Sequence, residues 1–134
     1  MTAVATSSGV AAQNAGQILF SLRGANMQST ADQAFTKLWS GSKYRITDIM
    51  AVQASGGASV ACAGGIYDAA AKSGNAIVAV AQSWVTLASN ANVAPALAAL
   101  VGTTMLSNTP ILSLTTGSTA ACNANLFIFG YGLD

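Results

Sequence analysis

From Ser73 to Leu133 the chain carries no charged side chain, and its fold must accommodate that whole run without an ionic group. Two arrangements can do so, a set of membrane spans or a closely packed domain. A span needs about 20 successive, predominantly apolar residues. This run is broken at Asn75, Gln82, Ser83, Ser89, Asn90, Asn92, Pro95, Thr103, Thr104, Ser107 and Asn108. Its most apolar window, Val93 to Leu106, holds both Pro95 and Gly102. The mean hydropathy of +0.51 is raised largely by alanine, which adds little membrane affinity. The run therefore reads as the interior and contact surfaces of a packed domain, with no membrane partner. Met1 to Ala15 has neither a basic start nor a continuous apolar stretch, so no secretory signal is read there.

The remaining residues are scarcely more ionic. Charged residues make up 7% of the 134 residues, against about 25% in an ordinary soluble domain. They are Arg23, Asp32, Lys37, Lys43, Arg45, Asp48, Asp68, Lys72 and Asp134, with a net charge of +1 and no histidine or glutamate. The commonest general acids and bases are thus missing, and no enzyme is expected. No catalytic, cofactor-binding or metal-binding residue is assigned. Asp32, Asp48 and Asp68 could pair as carboxylates if the fold joined them, but isolated aspartates in turn-like contexts ordinarily cap turns. The charge offers no field for a phosphate backbone, so no nucleic-acid partner is expected, and no basic patch for an anionic bilayer. A folded monomer of this mass exposes about 6,400 Å², or roughly one charge per ~700 Å². Such depletion is the mark of interface cores and invites association, which implies a homo-oligomer. Cys62 and Cys122 form no metal motif or disulfide framework. Each lies among small residues, where cysteine acts as a small buried hydrophobe; a bridge between them stays open.

Length allows one domain. Residues 1–16 are small, uncharged and without period, and read as an extended arm ahead of a single β-sandwich over 17–134. QILFSLRG alternates with the period of two of a half-buried strand. QAFTKLW and YRITDIMAV flank Ser40-Gly41-Ser42, the pattern of a hairpin, with Asp48 on the face of Tyr44, Ile46, Met50 and Val52. A strand over about 59–67 contains Gly64-Gly65, which marks a bulge or a close backbone approach. Lys72 to Asn75 reads as a turn before AIVAVA. Residues 82–101 fit one short helix, capped by Asn92, as well as they fit a loop between strands. TTMLS and ILSLTT flank Asn108-Thr109-Pro110. NLFIFGYGL alternates Phe127, Phe129 and Tyr131 against Leu126 and Ile128; with both sides apolar it reads as a central strand buried on two faces. About eight short strands with regular turn signals give an all-β sandwich or jelly roll, and twenty-six serines and threonines suit it.

YRITDIMAVQASGG, GGIYDAAAKSGNAIVAVAQSWVTL and ILSLTTGSTAACNANLFIFGYGLD resemble the strand blocks of small structural proteins encoded beside the capsid genes of tailed bacteriophages. The resemblance covers residues 17–134. It implies a virion component assembled in the host cytoplasm: a capsid decoration or cement protein, forming a homo-oligomer (commonly a trimer) on the major capsid protein or other virion proteins. A second reading is a head- or tail-fibre module that binds a host receptor or glycan. Its expected mark is an exposed aromatic platform, for which Trp39, Trp84, Tyr44 and Tyr67 are the candidates, although core packing is the ordinary use of such residues.

Overall fold

The computed structural model describes residues 17–98, 101 and 104–134; the arm expected over 1–16 lies outside the described residues. Eight strands form: β1 Gln17–Asn26, β2 Gln33–Ala34, β3 Thr36–Lys37, β4 Tyr44–Gly56, β5 Ala63–Ala69, β6 Ser73–Val78, β7 Ile111–Thr116 and β8 Cys122–Gly132. They make two four-stranded sheets, ordered β3-β1-β8-β4 and β2-β7-β5-β6, with every pairing antiparallel. The first strand pairs with the last in one sheet and the second with the seventh in the other, and the two sheets make a β-sandwich.

The pleat explains the core. Along β8, Cys122, Ala124, Leu126 and Ile128 are fully buried, while the alternate residues Asn123, Asn125, Phe127 and Phe129 are half-buried. The inward set meets Leu19 and Phe20 of β1, Ile49 and Ala51 of β4, and Ile66, Ile77, Leu112 and Leu114 of the other sheet in one apolar cluster. Trp84 and Leu87 close over that cluster from the 79–98 segment. The Trp84 indole donates to Gly64 O at 3.1 Å, which satisfies its N–H inside the core.

Gly64 is a position that only glycine can fill. Its φ is +153°, and a Cβ there would lie 2.4 Å from Leu114 Cα. The register shifts between Ala63 and Gly64, so the expected bulge sits at this close approach.

Several expectations need correction. Gln33 to Lys37 and β4 do not form a hairpin. β2 pairs with β7 and β3 with β1, while β4 pairs with β8. The short segment crosses from one sheet to the other at Phe35, whose buried ring serves as the pivot. In β4 a register shift between Ile46 and Asp48 reverses the pleat. Tyr44, Ile46, Ile49 and Ala51 therefore point inward, and Asp48 is exposed. The aromatic side of β8 also faces away from the core, so this central strand is buried on one face and not on two. The described part of 82–101 contains no α-helix. Its backbone groups go instead to sheet edges, Trp84 N to Cys62 O, Val93 to and from Ala51, and Ala98 N to Ile77 O. No helix among the described residues is long and apolar enough to cross a membrane. Cys62 and Cys122 are free and buried, and burial pushes the Cys62 thiol up to about 11.

Candidate functional site

Each candidate aspartate lies in a separate local network. Asp32 accepts from Ala71 N at 2.8 Å and from Ser113 Oγ at 2.7 Å. Lys72 donates to the same Ser113 hydroxyl at 2.9 Å. Ala71 and Lys72 both have φ near +59°, the left-handed region that costs an L-residue about 1–2 kcal/mol. Asp32 thus ties a strained β5–β6 turn to β7 of the same sheet, and these hydrogen bonds lower its pKa. Asp48 accepts from its neighbour Ile49 N. Asp68 accepts from the backbone and side-chain amides of Asn75 at 2.6 and 2.9 Å. Among the described residues, no three His, Cys, Asp or Glu side chains gather where they could hold a metal ion.

Of the four aromatic candidates, Trp84, Tyr44 and Tyr67 are core residues, at most 6% exposed. Burial, with Asp68 nearby, raises the Tyr44 phenol well above its ordinary value, and its hydroxyl donates to Asn108 O. Only Trp39 is half-exposed.

Two surface features remain. The first is the outer face of the β3-β1-β8-β4 sheet. Ser21, Phe127 and Met50 stand in one cross-strand row, and Ile18, Phe129 and Asp48 in another. Ile18 and Tyr131 are each 39% exposed and Leu133 is 46% exposed; Phe127, Phe129, Met50 and Val52 are half-buried. The Arg23 guanidinium covers the Phe127 ring 5.4 Å from its centroid. Arg23, Arg45 and Asp48 border this apolar centre, the layout of an interface patch with a polar rim.

The second is a groove of about 670 Å³ at the end of the same sheet, where β3, the turn after it, the start of β1 and the end of β8 meet. Lys37, Trp39, Ser40, Gln17 and Asp134 line it. Trp39 packs edge-on against Phe20 and Tyr44, with centroids 6.4 and 5.9 Å away. Its six-membered ring lies so close to Gly41 that a Cβ there would come within 2.1 Å. Lys37 Nζ sits 4.9 Å from the ring centroid. Asp134 accepts from Ser42 N, Ser42 Oγ and Lys43 N, and those hydrogen bonds hold its carboxyl down at about 2.

Sequence reasoning picked out Trp39, with Lys37 on the same side of QAFTKLW, but missed Gln17 and Asp134 as neighbours, because they arrive from segments far away in the chain. The Ser40-Gly41-Ser42 turn, read as a hairpin link, was the one local signal near them. No protein-family model, curated protein or solved structure matches the chain.

Proposed function

We propose that the protein is a structural component of a bacteriophage virion, a capsid decoration or cement protein that stabilises the head by contacts with its own copies and with the major capsid protein. The observation that carries this reading is the outer face of β1, β8 and β4. Apolar side chains occupy the middle of a sheet face that no third layer covers among the described residues, and apolar side chains grouped on a surface and rimmed by polar ones support a contact role. The phage assignment rests on the resemblance of the strand blocks, and the trimer is what that resemblance implies. On this reading the chain performs no catalysis, takes no cofactor and contacts neither nucleic acid nor membrane, in keeping with a surface so poor in charge.

The test is a charge placed in the patch. Phe129 points away from the core, so Phe129→Lys should fold with nearly the wild-type thermal midpoint yet lose association in light scattering and fail to bind phage heads. A wild-type chain that is a clean 13.3 kDa monomer and leaves heads bare, or a Phe129→Lys variant that associates as before, would overturn the reading.

A further inference from the structure

The groove beside Trp39 is not needed for a cement role, and its chemistry is specific. One wall is an indole ring, the only aromatic candidate that reaches the surface. Its Nε1–H is enclosed and finds no acceptor among the described residues, although buried donors are normally paired. Asp134 is ionised at neutral pH and already accepts three hydrogen bonds. A carboxylate has about four acceptor positions, so one remains open, and Asp134 lines the groove. Lys37 supplies an ammonium donor, while Gln17 and Ser40 supply groups that both donate and accept.

We propose that this groove binds a neutral saccharide, with the sugar's C–H face seated on the Trp39 ring in the place now taken by Lys37. Charge selects the ligand class. An anion would meet the fixed Asp134 carboxylate and a cation would meet Lys37, whereas a neutral sugar can offer one hydroxyl as donor to Asp134 and others as acceptors to Lys37. The contact that must be displaced is weak, since a cation over an aromatic ring at an exposed site stabilises little. Once swung outward, the Lys37 ammonium becomes a hydrogen-bond donor to the bound hydroxyls. Gly41 is required beside both groups, because a Cβ there would come within 2.1 Å of the Trp39 ring and 2.6 Å of the Asp134 carboxylate.

The two tryptophans provide an internal control, since Trp84 is fully buried. The full ¹⁵N-labelled chain is titrated separately with D-glucose, D-galactose, D-mannose and N-acetyl-D-glucosamine while both indole N–H signals are followed. At least one sugar should shift the Trp39 signal saturably in the millimolar range and leave Trp84 in place. Asp134→Asn should weaken that binding about tenfold, as expected for loss of a charge-assisted hydrogen bond. Gln17→Ala, a second surface change, should weaken it too, and an unchanged Trp84 signal will show that both variants are folded. The proposal is overturned if no sugar gives a saturable shift, if both indoles move together, or if neither variant alters the binding. Loss of this site would leave association through the outer sheet face untouched, so the two readings fail separately.

Discussion

At the scale of single residues, the few charges are fasteners. Asp32 and Asp134 each hold a turn by accepting backbone N–H groups, and both pKa values lie below the ordinary carboxylate value. A carboxyl with a lowered pKa in the folded state stabilises fully above its unfolded pKa, and that contribution is lost as pH falls through the folded value. The thermal midpoint should therefore hold from neutral pH down to about 4 and drop as pH approaches 2, about where Asp134 titrates in the fold. A calorimetric pH series should show the drop, and Asp32→Asn with Asp134→Asn should flatten it. The turn-holding use of Asp32 and Asp68 was legible from their residue contexts, and that of Asp134 was not. Asp48 was misplaced because the register shift between Ile46 and Asp48 reverses the pleat, and no local residue pattern announces a bulge of that kind.

For whole strands, β8 shows what alternation does and does not reveal. Its period of two and its central position were readable, whereas the side that faces the core was not, because Leu126 and Ile128 are as apolar as Phe127 and Phe129. Sheet order decides between them. Leu126→Ala removes a fully buried side chain and should cost about 2–5 kcal/mol. Phe127→Ala, on the half-buried outer face, should cost about 1 kcal/mol. Urea denaturation of the two variants checks the order; equal losses would show that the outer face is packed as tightly as the core. QAFTKLW reads as one strand of a hairpin, and its division into β2 and β3 in different sheets was illegible for a different reason. Each is two residues long, too short for any period, and the crossing at Phe35 is enforced by partners more than 60 positions away in β7. The 82–101 segment stayed ambiguous because its apolar spacing fits a helix as well as a strand, and only the open edges of β4 and β6 and the start of β5, which β6 does not reach, settle where its backbone groups go.

On the scale of the whole molecule, a sparse charge complement sets how it should respond to salt. The association proposed above, through an apolar face, would rest on burial, which added salt does not weaken, so raising NaCl from low to molar concentration should leave such an assembly in place on sedimentation. Release at a few hundred millimolar would instead assign the contact to the Arg23, Arg45 and Asp48 rim. The pairing of β1 with β8 has a mechanical consequence. Gln17 lies opposite Gly130, so the two ends of the described chain leave from one pole of the sandwich. Tension applied between them would peel β1 from β8 one rung at a time, whereas a load spread across the sheet face is borne by all its rungs at once. Anchored by its broad face, the domain resists as a plate; pulled by its ends, it opens like a zip.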